Sequence, residues 1–224
     1  MKIIWLGQAG LLFETDGMTV MVDPYLSDSV AKVNPANWRR VPVEERFLKI
    51  RPDVLIFTHN HLDHYDPETA AHYLEGSSGF TVLSPVSVWN EVRRFGGNHN
   101  YVQFQPGTEW TMGNLRFSSV PAQHSDPDAI GVILESEGRV YYMAGDTLYS
   151  RNVLAALPEQ IDVAFLPVNG AGNNMNMTDA ARFARKTGAK QVVPVHFGLF
   201  DELDGADFDC PGKVVPEIYK EVRV

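Results

Sequence analysis

The stretch Thr58-His59-Asn60-His61-Leu62-Asp63-His64-Tyr65-Asp66 places histidines 59, 61 and 64 and aspartates 63 and 66 directly after an apolar run at 53–57. A short apolar run bounded by polar residues reads as a buried strand. Three later segments repeat the device. Pro121-Ala122-Gln123-His124, Ala144-Gly145-Asp146-Thr147 and Val193-Pro194-Val195-His196 each put a nitrogen or oxygen ligand just past an apolar strand. Singly, each has an ordinary role: a hydrogen-bonded loop histidine, an aspartate capping a turn, a histidine beside Phe197 in the core. Together, five of the seven histidines fall at strand ends. Such a chain must gather several strand ends at one edge, and ligands collected there make a metal site.

The strand order suggests how. Residues 2–6, 10–15 and 18–23 form a β-meander, with Asp16-Gly17 as a tight hairpin turn. The strand at 53–58 carries the histidine cluster, and Asp66-Pro67 starts a helix, with Asp66 as N-cap and Pro67 at the first helical position. Ser84-Pro85 repeats that start before a helix over 86–95, which Gly96-Gly97 ends. A second wave of strands covers 101–104, 114–120, 129–135 and 139–144, with Glu137-Gly138 at a turn. A strand at 161–166, a helix near 178–187 ended by Gly188, and a strand at 191–195 complete the order. Residues 24–52 carry no assignable element, and long loops in compact domains are often functional. This order predicts an α/β four-layer αβ/βα sandwich spanning 1–224 as a single domain.

Composition narrows the function. The 224 residues suffice for one large core, and 44% hydrophobic against 21% charged residues excludes a largely disordered chain. A formal charge of −9 argues against nucleic acid as a partner, which demands a basic face, yet leaves room for a small anionic substrate. The only cysteine, Cys210, excludes an intramolecular disulfide framework and a zinc ribbon, and fits a cytoplasmic location. The apolar stretches at 3–6 and 11–13 are interrupted by Gly7, Gln8 and Gly10 and followed by Glu14 and Asp16, so they read as strands rather than as a signal-peptide core. Other apolar runs stop short of the ~20 residues that span a bilayer. No membrane partner is expected, and a homo-oligomer is compatible with the sequence.

His-x-His-x-Asp-His at 59–64, followed in order by His124, Asp146 and His196, resembles the metallo-β-lactamase superfamily. The segments "WLGQAGLLFE", "VDPYLSDS", "HSDPDAIG", "AGDTLYS", "NGAGNNMNMTDAARFA" and "VVPVHFGLF" resemble, within it, the L-ascorbate-6-phosphate lactonase family. This chain is shorter than those lactonases. The resemblance implies that His59, His61 and His124 hold one divalent ion, that Asp63, His64 and His196 hold a second, and that Asp146 bridges them. Two ions ~3.5–4 Å apart share a water and lower its pKa from ~15.7 to ~7. Asp63 and Asp146 are then the catalytic carboxylates, with Asp63 also placed to manage a proton. Nitrogen and oxygen donors without a nearby cysteine fit zinc, manganese or iron and disfavour copper(I) and iron–sulfur clusters.

For the substrate, Tyr25 follows the meander, and Arg39 and Arg40 in the unassigned loop offer guanidinium groups for a phosphate or carboxylate. Asn169, Asn173, Asn174 and Asn176 lie between a core strand and a helix, where amides and free N–H groups bind anions. The leading expectation is a metal-dependent hydrolase of a small anionic lactone or ester. The alternative is a phosphodiesterase or ribonuclease on the same dinuclear site, and a di-iron redox protein is a third class.

Overall fold

The computed structural model describes residues 1–15, 17–75 and 79–224. In chain order the elements are β1 (Lys2–Gly7), β2 (Gly10–Thr15), β3 (Met18–Val22), α1 (Ser29–Val33), α2 (Glu45–Leu48), β4 (Val54–Ile56), α3 (Pro67–Leu74), β5 (Thr81–Ser84), α4 (Val86–Val92) and β6 (Asn100–Gln103). There follow β7 (Glu109–Met112), β8 (Leu115–Pro121), β9 (Ile130–Ser136), β10 (Arg139–Met143), α5 (Arg151–Ala156), β11 (Val163–Pro167), α6 (Met177–Thr187) and β12 (Gln191–Val195).

The strands form two six-stranded sheets, ordered β1-β2-β3-β4-β5-β6 and β12-β11-β10-β9-β8-β7. In the first, β1 to β3 are an antiparallel meander and β3 to β6 run parallel. In the second, β7 to β10 are antiparallel and β10 to β12 parallel. The two-residue period of a strand assigns its side chains to two cores. Ile3, Trp5, Leu11, Phe13, Val20, Val22, Val54 and Ile56 point to the core shared with the second sheet. Their neighbours Ile4, Leu6, Leu12, Met21 and Leu55 point to a second core with Phe47, Tyr73, Leu74, Val88 and Val92 from the helices. Phe13 meets Phe165 edge-on at 6.0 Å between the sheets, and Phe183 of α6 stacks on Tyr142 outside the second sheet. Helix, sheet, sheet and helix form the four layers expected.

Several local expectations hold for the reasons that motivated them. Asp66 caps α3 by accepting from the N–H groups of Glu68 and Thr69, with Pro67 at the first helical position. Gly188 ends α6 in the left-handed region. Glu137 and Gly138, at φ +54° and +72°, make the tight turn between β9 and β10. Asp16 of the expected Asp16-Gly17 turn lies outside the described residues.

Others need correcting. Ser84 does not cap α4: it is the last residue of β5, Pro85 occupies the cap, and no side chain caps the helix. The helix ends at Val92 and continues only as a 3₁₀ turn over Arg93–Phe95. The stretch 24–52 holds two short helices, α1 and α2. Strands β5 and β7 and helix α5 had no sequence assignment. Among the described residues no helix is long and apolar enough to cross a membrane.

Candidate metal centre

The polar groups sit where strands stop. After β4 the chain turns tightly, with the N–H groups of His64 and Tyr65 both bonded to the carbonyl of His61. That turn presents His59, His61, Asp63 and His64 together. His124 follows β8, Asp146 follows β10, and His196 follows β12 in a left-handed conformation at φ +60°. All the expected ligands converge in two groups. His59, His61, His124 and Asp146 bring ligand atoms within 4.8 Å of one another, and Asp63, His64 and His196 do the same. Asp146 faces both. Its Oδ1 lies 3.2 Å from His64 Nε2 and 3.3 Å from His196 Nε2, while its Oδ2 lies 3.8 Å from His124 Nε2 and 3.9 Å from His59 Nε2.

The donor set fits metal ions. His59 Nε2, His64 Nε2 and Asp146 Oδ1 are buried without a hydrogen-bond partner, although the latter two lie 3.2 Å apart. Leaving such an atom unsatisfied costs ~1–3 kcal/mol, and native interiors seldom do so without an ion or water to answer. Outer partners turn the imidazoles inward, as metal-binding histidines require. His64 Nδ1 is 2.7 Å from Asp23 Oδ2, His61 Nε2 is 3.3 Å from Ser125 Oγ, and His124 Nδ1 is 3.3 Å from the Asn173 carbonyl. The opposite ring nitrogens, His61 Nδ1 and His124 Nε2, then meet at 3.1 Å. Asp23 is itself buried and accepts from Thr58 N at 2.8 Å.

Charge follows the same logic. Burial, helped by the neighbouring His64, holds His59 well below the ordinary imidazole range, and burial lowers His124 too, so both keep lone pairs free. Burial opposes charge on His64 and His196, yet the carboxylates beside them prevail. Asp146 and Asp23 raise His64 well above its usual value, and Asp146 with Asp63 pushes His196 up to about 10. Burial would raise Asp63 and Asp146, but the adjacent histidines hold both well below the carboxylate range. The two carboxylates therefore demand positive charge, which protons on His64 and His196 or divalent cations supply.

A cavity of about 280 Å³ opens over the centre, with Gln8, Asn37, Asn169, Asn174, Phe200 and Asp201 on its wall. Asn174 is 5% exposed, and neither polar atom of its side chain has a partner. The other expected substrate groups lie elsewhere. Tyr25 is wholly buried and its hydroxyl accepts from Val30 N. Arg39 is a scaffold residue: its guanidinium donates to the carbonyls of Tyr25 and Val41 and to the Tyr219 hydroxyl. Arg40 packs over Trp38 and is absent from the cavity wall. Asn176 caps α6 by accepting from Asp179 N, and Asn173 contributes its backbone carbonyl to His124. Sequence reasoning missed Asp23 and Gln8. The first has a readable signal, a carboxylate ending a buried strand like the ligands themselves; the second has none beyond its place in "WLGQAG".

Known proteins are similar to this chain over most of its length. Residues 18–197 match the Beta-lactamase superfamily domain. Over 230 residues the chain is 31% identical to a UPF0173 metal-dependent hydrolase of Ligilactobacillus salivarius, covering 98% of this chain and 95% of that protein. A UPF0173 metal-dependent hydrolase of an Exiguobacterium species is 32% identical over 218 residues, 91% of this chain and 88% of that one. A solved metallo hydrolase from the archaeon Ignicoccus hospitalis shares the fold with a TM-score of 0.77 at 21% identity, covering 99% of this chain and 97% of that one. This chain belongs to the beta-lactamase superfamily and, within it, to the UPF0173 family.

Proposed function

We propose that this chain is a metal-dependent hydrolase of a small ester or lactone, working with two divalent ions. The observation that carries the reading is Asp146, whose two oxygens face two separate groups of imidazole and carboxylate ligands. His59, His61 and His124 would hold one ion, Asp63, His64 and His196 the other, with Asp146 between them. When bound, such a pair supplies an activated water and an electrophile for a carbonyl oxygen.

The chain's own residues do the rest. Asp23 holds the His64 ring with its Nε2 inward. Asp63, the only ligand carboxylate besides Asp146, is less enclosed, with 19% of its side chain exposed against 5%. It is the group placed to take a proton from the attacking water and pass it to the leaving oxygen. The buried rings of His59 and His64 exclude bulk water from the floor of the site, which strengthens every charge interaction there.

The wall of the cavity speaks to the substrate. A volume of about 280 Å³ favours a small molecule over a polymer. Among the described residues on that wall none is lysine or arginine. The basic clamp expected for an anionic substrate is thus missing, and any anion there would rely on the ions and on amide N–H groups. Zinc, manganese and iron all suit the donor set.

The test is a substrate panel. Metal-depleted protein is reloaded with zinc, manganese or iron(II) and assayed on lactones, acyl esters, phosphodiesters and single-stranded RNA. Lactone or ester turnover that chelator removes is the expected result. Cleavage confined to phosphodiesters or RNA would replace this reading with the nuclease one.

A further inference from the structure

The rings of His59, His61, His64 and His124 each have a partner on the nitrogen away from the centre, whereas Asp63 lines the cavity on a short, rotatable side chain. Its one hydrogen-bond donor outside the ligand set, among the described residues, is Gln8, whose Nε2 lies 2.8 Å from Asp63 Oδ2. Gln8 sits in the turn between β1 and β2 at φ +48°, a left-handed conformation that strains a non-glycine residue. It is 2% exposed on the cavity wall, and its carbonyl accepts from Trp5 Nε1 at 2.8 Å and from the His196 N–H at 2.9 Å. One residue thus holds Asp63 with its side chain, at 2.8 Å, and His196 with its main chain and, at 3.5 Å, its side-chain amide. Those are two of the three ligands in the second group, and Gln8 bonds none in the first.

We infer that Gln8 is a positioning residue for the second ion: it fixes the rotation of Asp63 and the seat of His196 so that both face one point. The inference rests on the two-ion reading above. The chemistry suits a carboxamide. A lysine there would repel a cation and a glutamate would repel Asp63, but a neutral amide donates to the carboxylate and adds no charge beside the ion. The same Nε2 lies 3.5 Å from His196 Nε2, and the side-chain oxygen faces the cavity. The backbone strain is maintained because the turn must deliver both ends of Gln8 to the site at once.

The experiment is a stepwise titration of metal-depleted protein with Zn²⁺ or Mn²⁺ against a chromophoric chelator, with melting temperatures recorded alongside. Gln8→Leu keeps the backbone bonds and removes the amide. It should weaken one of the two ions by roughly 10–100-fold, the usual effect of losing an outer partner of a metal ligand, and leave the other within threefold. Gln8→Asn, too short to reach Asp63, should give the same split. Trp5→Phe loosens the same turn from behind and should lower the melting temperature without splitting the two affinities. A Gln8→Leu protein that binds both ions like wild type, or weakens both equally, overturns the proposal while leaving the two-ion site intact. So does a Trp5→Phe protein that reproduces the split. Wild-type protein that saturates at one ion overturns the two-ion reading and this proposal with it.

Discussion

Asp23→Asn tests how much of the site is built from outside the ligand set. Asp23 is fully buried and accepts from Thr58 N at 2.8 Å and Thr58 Oγ1 at 2.5 Å, while facing His64 Nδ1 at 2.7 Å. Asparagine keeps the shape but offers one acceptor oxygen where the carboxylate offered two. One of these donors must then meet an NH₂ group. Since the His64 contact is charge-assisted, its loss is worth ~1.5–3 kcal/mol. If His64 turns as a result, that energy comes out of ion binding, and at ~1.4 kcal/mol per decade it corresponds to roughly a 10–100-fold weaker second ion. Chelator competition on metal-depleted Asp23→Asn protein reads this directly, with the ion at His59, His61 and His124 as internal control. Second-ion affinity within threefold of wild type, in a variant that folds, would refute the claim that Asp23 orients His64.

Asp146→Asn should lose more metal than His196→Ala, because it weakens both ion sites and removes a negative charge from between two cations; equal metal content in the two variants would argue against a bridging role. Arg39→Ala should lower stability by ~2–4 kcal/mol, since a buried guanidinium leaves the Tyr25 and Val41 carbonyls and the Tyr219 hydroxyl without their donor. At a temperature where that variant is folded, its KM should match wild type. The pH response should reverse with metal. His196, raised to about 10 without ions, gives metal-free protein stability that is complete below its unfolded value of ~6.5 and lost as pH rises through about 10. Ions must displace that proton, so metal affinity should rise over the same window. Melting curves of both forms between pH 6.5 and 10 check this: the metal-free midpoint should fall while the stabilisation by added metal grows.

The candidate ligands are legible in the sequence because the chemistry of a metal site would make them recur at strand ends, and strand ends show as apolar runs. His59, His124, Asp146 and His196 needed no tertiary information to be found. The helix starts at Asp66 and Asn176 are different in kind: both are local cap geometry, and only the first was read as one. In sequence Asn176 reads as a binding residue because a run of asparagines looks alike whether it caps or binds. Arg39 and Arg40 are adjacent in sequence but differ in setting, the first tied into the scaffold and the second packed over Trp38. What separates them is the contact of Arg39 with Tyr219, a partner 180 positions away that no local pattern announces. Gln8 escaped notice for the same reason, since its role depends on Asp63 and His196. Strand β7 was invisible because an edge strand, with Glu109 and Thr111 exposed, carries little apolar signal. Ser84 misled because Ser-Pro is a fair start signal, but the strand ran on to use that residue's backbone.

The central claim is that seven side chains from both sheets hold two ions, with Asp146 shared. Elemental analysis of the purified, fully reloaded protein, paired with activity in chelator, tests it most directly. The account predicts close to two divalent ions per chain and no turnover after their removal. Protein that holds no metal and hydrolyses its substrate undiminished in chelator would contradict it.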